Sequence, residues 1–298
     1  MRKAKAISTG GAFPVSFGGG GPLALVAGPC VIESREHCLM MAKNLGAMAR
    51  RLKIPFVFKA SFDKANRSSV NAYRGPGIAE GLEILAEVRE AYGVPIVTDI
   101  HEPWQAAEAA KFADMIQIPA FLCRQTDLLI AAGETGAVVN VKKMQCLAAE
   151  DMEQVVAKIE STGNRRIILT ERGSAFGTRN LVADMRNLMI MRGFGYPVMF
   201  DATHSVQRPG ALGTGSGGDG KWAPALARAA VATGACDCVF IETHENPPKA
   251  LSDAANSIPL ADLPALWKQL AAIDGIAKDT GGKSGNKSGN KTGEKTGK

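Results

Sequence analysis

The stretch from Lys59 to Ser69, which reads KASFDKANRSS, concentrates side chains that bind anions and hydroxyl groups. Lysine supplies a mobile point charge and arginine a planar fork, and both suit phosphate and carboxylate oxygens. An ordinary solvated loop is the alternative, but the apolar run at 54–58 favours a loop held by a rigid strand. The stretch is therefore predicted to bind an anion beside a polyhydroxyl group, using Lys59, Ser61, Lys64, Asn66, Arg67, Ser68 and Ser69.

Short apolar runs recur from Leu23 onward, with helical patterns between them. Nearly continuous apolar strands separated by helices predict a parallel sheet buried on both faces, and eight such units favour a closed (β/α)8 TIM barrel. An open doubly wound sheet is the alternative, although no G-x-G-x-x-G follows the first run. The runs are 23–27, 54–58, 95–98, 114–118, 137–141, 166–170, 198–202 and 238–242; helical patterns include 79–92, 103–112, 148–160, 181–192 and 221–233.

Chemically capable side chains follow almost every predicted strand, where the functional residues of such a barrel lie. The surplus of cations among them exceeds the need of one phosphate and indicates two small anionic ligands, or one dianion and a carboxylate. The thiol, imidazole and carboxylates also suit a divalent metal, but spacing alone leaves a metal site undecided. The strand-end residues are Cys30, Lys59, Asp99 with His101, Gln117, Lys142 with Lys143, Glu171 with Arg172, Asp201 with His204, and Glu242 with His244.

The two ends of the chain differ from the barrel pattern. Residues 1–22 are polar and glycine-rich and predict an N-terminal extension or hairpin at one end of the fold. The barrel domain is predicted over 23–278, with the glycine-rich segment 208–220 as a lid. Residues 279–298 repeat a lysine–serine/threonine–glycine pattern that predicts a disordered low-complexity tail.

The composition excludes several classes of protein. From Thr280 onward, five lysines against one glutamate supply +4 of the net charge of +6, so the rest of the chain is close to neutral and shows no basic stripe for nucleic acid. No run long enough to span a membrane and no secretory leader is visible, so a soluble, cytoplasmic protein is expected. Six scattered cysteines without a disulfide-framework spacing indicate reduced thiols.

Eight blocks of this sequence are long enough to be specific. They are GPCVIES (28–34), FKASFDKANRSS (58–69), TDIHEP (98–103), IQIPAFLCRQTDLL (116–129), VNVKK (139–143), LTERGSAFG (169–177), FDATHSVQ (200–207) and FIETHENPPKALSDA (240–254). These blocks closely resemble the 3-deoxy-D-manno-octulosonate 8-phosphate synthases, over roughly 23–275. The resemblance implies a (β/α)8 barrel, usually tetrameric, that condenses phosphoenolpyruvate with D-arabinose 5-phosphate for lipopolysaccharide synthesis.

Carried over to matching positions, the resemblance implies two substrate subsites. Catalytic roles fall to Lys59, Lys142 and Arg172, with His204, Asp99 and His101 as candidates for a general base. Arg124 is expected to reach the site of a neighbouring subunit. Phosphoenolpyruvate would contact Lys59, Ser61, Lys64, Gln117, Lys142 and Arg172; arabinose 5-phosphate would contact Asn66, Arg67, Ser68 and Arg124.

The resemblance also implies a metal ion. The metal-free class of the family carries asparagine at the position of Cys30 and a CDG-like segment near Asp253, whereas this chain has GPC and SDA. The expected ligands are Cys30, His204, Glu242 and Asp253, and the ion is zinc, iron or manganese.

Two alternatives for the activity stay open at this point. The related 3-deoxy-D-arabino-heptulosonate 7-phosphate synthases, which use erythrose 4-phosphate, typically show a KPRTS-type stretch where this chain has KANRSS. A sugar-phosphate-binding barrel without catalysis would be the other alternative, although both substrate motifs are intact.

Overall fold

The structure is a computed structural model that describes residues 4–178, 180–211 and 217–279. Part of the expected lid (212–216) and the tail predicted as disordered, from residue 280, lie outside the described residues. The barrel strands are β1 (Ala24–Gly28), β2 (Phe56–Lys59), β3 (Ile96–Asp99), β4 (Met115–Ile118), β5 (Val138–Lys142), β6 (Ile167–Glu171), β7 (Val198–Asp201) and β8 (Cys238–His244).

A helix follows each strand and packs against the outside of the sheet. The helix α1 is typical of how the ends are fixed: the Ser34 side chain accepts from the backbone N–H of His37 at its start. The helices are α1 (Arg35–Leu52), α2 (Ile78–Tyr92), α3 (Trp104–Ala110), α4 (Thr126–Glu134), α5 (Met152–Glu160), α6 (Arg186–Gly193), α7 (Ala223–Ala232) and α8 (Leu263–Asp279).

The eight strands form a closed parallel ring. Successive strands pair from β1 to β8, and β8 also pairs with β1, in the register Glu242 opposite Gly28. The predicted (β/α)8 barrel is therefore confirmed. The helices α5 and α6 begin four and five residues later than predicted, and before α6 the residues Leu181–Val182 pair antiparallel with Ser174–Ala175 instead.

A two-stranded hairpin closes the end of the barrel at which the strands begin, as expected for residues 1–22. Ile7–Ser8 pairs antiparallel with Ser16–Phe17. The buried side chains of Ile7, Val15 and Phe17 join the apolar cluster inside the barrel. The guanidinium of Arg166 donates to the carbonyl oxygens of Ser8 and Thr9 and fixes the hairpin to the start of β6.

Two observations concern the chain as a whole. All six cysteines are free in the structure. Among the described residues, none of the helices combines the length and apolar character needed to cross a lipid bilayer.

Candidate active site

A cavity of about 230 Å³ opens at the end of the barrel where the strands finish. Polar and charged side chains from most of the strand ends line the cavity, so residues far apart in the sequence meet there. The lining includes these predicted site residues: Lys64, Asn66, Arg67, Ser68, Asp99, His101, Gln117, Lys142, Arg172, His204, Glu242 and Asp253.

Four predicted site residues do not line this cavity, namely Lys59, Ser61, Arg124 and Cys30. Lys59 is fully buried behind the wall, where Nζ donates to Oε1 of Glu242 at 2.8 Å and to the carbonyl of Cys30 at 2.7 Å. Ser61 is buried too and hydrogen-bonds to Asp99. Arg124 has an exposed side chain and is not part of the cavity wall. Lys59 and Ser61 thus contact groups that face the cavity.

The close approach of β1 and β2 brings Cys30 to this position. A Cβ atom on Gly28 would lie 1.9 Å from the carbonyl oxygen of Lys59. Only glycine therefore fits at the end of β1, and the GPC block places its cysteine directly after this contact.

Lys142 and Arg172 are the two buried cations of the cavity wall. Nζ of Lys142 lies 2.6 Å from Oδ2 of Asp201 and 3.7 Å from the ring centre of Phe240. Burial lowers the pKa of both cations, and Asp201 opposes that shift. Nη2 of Arg172 donates to Gln207, whereas its buried Nη1 has no hydrogen-bond partner among the described residues. Arg172 therefore has a donor free for an anion.

Asp99 lies within a polar network at the end of β3. Burial favours the protonated acid, but Lys64 and His101 outweigh burial and hold the pKa of Asp99 well below its ordinary value. Oδ2 of Asp99 is 4.0 Å from Nζ of Lys64 and 3.4 Å from Nε2 of His101. Asp99 is consequently anionic at neutral pH and a weak base.

The residues predicted to bind a metal come together at one side of the cavity. Sγ of Cys30 and one oxygen each of Glu242 and Asp253 lie within 4.8 Å of one another. Nε2 of His204 is 3.6 Å from Oε2 of Glu242 and 3.5 Å from Oδ2 of Asp253. Ligands of a tetrahedral first-row metal lie about 3.3 to 3.8 Å apart, because each is about 2.0 to 2.3 Å from the ion.

Two further observations bear on this group. Oε2 of Glu242 is buried without a hydrogen-bond partner among the described residues. Asp253 adopts a left-handed backbone conformation with φ of 48°, which is unusual for a non-glycine residue and typical of constrained sites. Cys30, His204, Glu242 and Asp253 therefore fit a divalent metal in donor type and in spacing.

His204 connects this group with Lys142 through Asp201. Nδ1 of His204 lies 2.8 Å from Oδ2 of Asp201, the carboxylate that also pairs with Lys142. Burial opposes protonation of His204, but the carboxylates of Asp201 and Glu242 outweigh it and raise the pKa of His204.

A second group, formed by Glu33, His37, His244 and Glu245, looks superficially like a metal site. Nε2 of His37 is 2.9 Å from Oε2 of Glu245, and Nε2 of His244 is 3.5 Å from Oε1 of Glu33. Nδ1 of His244 accepts the backbone N–H of Asn246 at 2.9 Å. A neutral imidazole that accepts at Nδ1 carries its proton on Nε2, so Nε2 of His244 is not free to bind a metal in this arrangement, although it has no hydrogen-bond partner among the described residues.

Sequence reasoning gave no role to the buried amide of Asn140 in β5. Nδ2 of Asn140 donates to Oε1 of Gln117 at 3.0 Å, and its Oδ1 accepts from the hydroxyl of Thr170 at 2.6 Å. These two hydrogen bonds in series orient the amide of Gln117 toward the cavity. The sequence held one signal for this role, the single asparagine within the apolar run AVVNV. A lone polar residue in a buried strand needs a hydrogen-bond partner.

Comparisons with known proteins agree with the geometry. Residues 4–277 match the DAHP synthetase I family. A protein named 2-dehydro-3-deoxyphosphooctonate aldolase from Geobacter metallireducens is 60% identical over 264 residues, which cover 89% of this chain and 97% of the relative. Proteins of the same name from Geobacter sulfurreducens (57%, covering 89% and 97%) and Geotalea uraniireducens (56%, covering 92% and 99%) are similar as well.

Proposed function

The chain belongs to the DAHP synthetase I family, and we propose that it condenses phosphoenolpyruvate with D-arabinose 5-phosphate and water. The products are 3-deoxy-D-manno-octulosonate 8-phosphate, a precursor of lipopolysaccharide, and inorganic phosphate. The name of the relatives specifies an octonate. A three-carbon and a five-carbon substrate together supply its carbon chain, whereas erythrose 4-phosphate would give a heptulosonate. The protein is therefore an enzyme, a transferase that forms a carbon–carbon bond.

One observation carries the proposal: residues of both predicted subsites line the same cavity. Lys142, Arg172 and Gln117 are buried in its wall, and Asn66 and Ser68 are exposed at its opening. Phosphoenolpyruvate would occupy the buried part, because its phosphate and carboxylate need several cations. The sugar phosphate would lie toward the opening, where amide and hydroxyl groups meet its hydroxyls.

The reaction exchanges bonds at three carbons. The electron pair of the C2–C3 double bond of phosphoenolpyruvate forms the bond from C3 to the aldehyde carbon of the sugar, whose oxygen takes up a proton. Water adds to C2 and releases a proton. The bond between C2 and the phosphate oxygen then breaks as the C2 hydroxyl loses its proton and becomes the ketone carbonyl, and inorganic phosphate leaves.

The buried cations act on the charge that moves during these steps. Lys142 and Arg172, whose Nη1 has no hydrogen-bond partner among the described residues, would bind the phosphate and carboxylate oxygens and stabilise the developing charge. Each is expected to contribute about 2 to 4 kcal/mol if it behaves as a preorganised donor. Lys59 and Ser61 would act from behind the wall, through their contacts with Glu242 and Asp99.

The metal site is part of the proposal. Cys30, His204, Glu242 and Asp253 would hold a divalent ion, and zinc, iron and manganese all accept this mixed set of donors. When bound, the ion would polarise the aldehyde or a water molecule. Asp201 would orient the imidazole of His204 by its contact with Nδ1.

We further propose a homo-oligomer, with a tetramer as the expected form. Phe121 lines the cavity but is about half exposed, and the nearby Arg124 is exposed outside the wall. A second copy of the chain would cover this side, and Arg124 would then reach the sugar phosphate bound in that copy. The cytoplasmic location stays a prediction.

The proposal is tested by following the loss of phosphoenolpyruvate with each of two aldose phosphates. Turnover with arabinose 5-phosphate and little with erythrose 4-phosphate is expected. Preference for erythrose 4-phosphate would reverse the choice of substrate, and no turnover with either would revive the non-catalytic alternative.

The metal is tested separately on the same enzyme. Exhaustive chelation should abolish turnover, and added Zn²⁺, Fe²⁺ or Mn²⁺ should restore it. Metal content should fall in Cys30→Ser without loss of the fold. Turnover that survives complete removal of metal would contradict the metal site and leave the condensation itself intact.

A further inference from the structure

Lys143 and Glu171 form a buried pair that the proposed reaction does not use. Both side chains are fully buried, and neither lines the cavity. Each is the chain neighbour of a cavity cation, Lys142 or Arg172. We propose that this pair, which we call the anchor pair, positions Lys142 and Arg172 for phosphoenolpyruvate. The inference rests on the proposed function, because it concerns the same subsite.

Lys143 holds the loop that follows β5. Its Nζ donates to the carbonyl oxygens of Met144 and Leu147 at 3.2 and 3.1 Å, and to the hydroxyl of Ser174 at 3.2 Å. Nζ also lies 3.6 Å from Oε2 of Glu171. One buried ammonium therefore contacts the loop after β5 and the loop after β6.

Glu171 closes a tight turn around Arg172. Its Oε1 accepts the backbone N–H of Gly173 at 2.5 Å, so Arg172 is the central residue of a short hydrogen-bonded ring. Gly173 has a φ of 90°, which a side chain would disfavour. Oε2 accepts from the amide of Asn187 in α6 at 3.0 Å, which fixes the carboxylate.

The backbone connects the anchor pair to Lys142. The N–H of Lys143 donates to the carbonyl of Thr170 at 2.8 Å, and Lys142 lies opposite Thr170 in the register of β5 and β6. A shift of the anchor pair would therefore move the strand ends that carry both cations. Positions near a site matter in this way because a misplacement of about 1 Å can reduce a rate about a hundredfold.

Stability alone is a poor explanation for the anchor pair. Two buried charges carry a desolvation cost, and well-packed apolar residues of similar volume often hold a fold equally well. The directional hydrogen bonds to Leu147, Gly173 and Ser174 are what apolar residues could not supply.

A matched pair at the other end of the barrel provides the control. Arg192 and Asp237 are also buried and paired, and Asp237 accepts the backbone N–H of Val198 at 3.0 Å. Arg192 precedes β7 and Asp237 precedes β8, away from the cavity. Breaking either pair should lower the melting temperature, but only the anchor pair should change the use of phosphoenolpyruvate.

The test compares Glu171→Gln with Arg192→Met in the full-length enzyme. The glutamine keeps one acceptor for Gly173 but turns an amide donor toward Lys143 or Asn187. We expect the KM for phosphoenolpyruvate to rise about tenfold to a hundredfold in Glu171→Gln, with that for arabinose 5-phosphate within about twofold. Arg192→Met should leave both KM values unchanged.

Two further variants keep the test decisive. The double variant K143M/E171M should regain stability relative to Glu171→Gln yet still bind phosphoenolpyruvate weakly in calorimetry without the sugar. If Glu171→Gln does not fold, Asn187→Ala should show a smaller change in the same direction. Folded variants whose affinity for phosphoenolpyruvate equals that of the wild type, or whose two KM values rise equally, would overturn the anchor role.

Measurements on the wild-type enzyme distinguish a failure of the proposed function from a failure of the anchor role. A wild type that binds phosphoenolpyruvate but does not consume it with arabinose 5-phosphate would refute the proposed function. The calorimetric comparison would still decide whether the anchor pair positions the cations.

Discussion

The two ends of the barrel are built from the same strands, but their openings are filled by different kinds of side chain. Where the strands begin, the apolar residues Ile7, Val15 and Phe17 of the hairpin fill the opening. Where the strands finish, charged residues such as Lys142 and Glu242 are buried. Apolar burial stabilises the fold directly, whereas buried charges cost desolvation. One end of the barrel therefore supplies stability and the other supplies chemistry.

The largest expected effect is on activity at the end where the strands finish. Arg172→Met removes a cation that has one donor without a partner in the part of the chain that the structure describes, so kcat/KM should fall about a hundredfold to a thousandfold. The melting temperature should stay equal or rise, because a buried charge is lost. A steady-state assay with thermal melting measures both. A variant that loses stability as well as activity would contradict the assignment of stability to one end of the barrel and chemistry to the other.

The matched change at the hairpin end should reverse this pattern. Phe17 is fully buried in the barrel interior, so Phe17→Ala should cost about 3 to 5 kcal/mol of unfolding free energy. Activity measured well below the melting temperature should stay near the wild-type value. Urea unfolding measures the change in unfolding free energy. A parallel loss of kcat would show that the hairpin also shapes the active site.

A smaller effect is expected at the opening of the cavity. Arg67→Ala should raise the KM for arabinose 5-phosphate about tenfold, the effect expected for a lost hydrogen bond to a charged group. The KM for phosphoenolpyruvate should change far less. In the free protein Arg67 donates to the carbonyls of Tyr73 and Leu251, so its loss also frees the loop. Equal changes in both KM values would contradict the assignment of the two subsites.

The smallest expected effect is on the unfolding free energy at acid pH. Its sign should differ between Asp99 and Asp114, which lie at opposite ends of the barrel. The pKa of Asp99 is lowered in the folded state, so its contribution is present above the unfolded pKa and is lost as the pH falls below about 4. Asp99→Asn should flatten this acid limb. Asp114, before β4, has its pKa raised by burial, so Asp114→Asn should steepen the limb. Urea unfolding across the acid range compares them, and equal signs would contradict the pKa directions.

The sequence allowed the barrel to be predicted because apolar strands and helices repeat with their own periods. Cavity cations such as Lys142 and Arg172 could be identified because strand ends converge in such a fold. The structure differs most for Lys59 and Ser61, which lie behind the wall. Their burial depends on how closely β1 approaches β2, and that distance is set by Gly28 rather than by any pattern of charges.

The sequence also could not show which charged residues pair with one another. The sequence places Lys142 beside Lys143 and Glu171 beside Arg172, but only the register of β5 and β6 decides which of them meet. The contact of Asp201 with both Lys142 and His204 likewise depends on three-dimensional packing.

The hairpin can make its final contacts only after a large part of the chain has been synthesised. Arg166, which holds the hairpin, is 158 residues further along the chain than Ser8. At about 5 to 20 residues per second, the hairpin segment waits roughly eight to thirty seconds for this partner to be synthesised. The ring closes later still, when β8 reaches β1. The nascent chain therefore leaves its oldest apolar residues uncovered through most of translation, a period in which chaperones would find them.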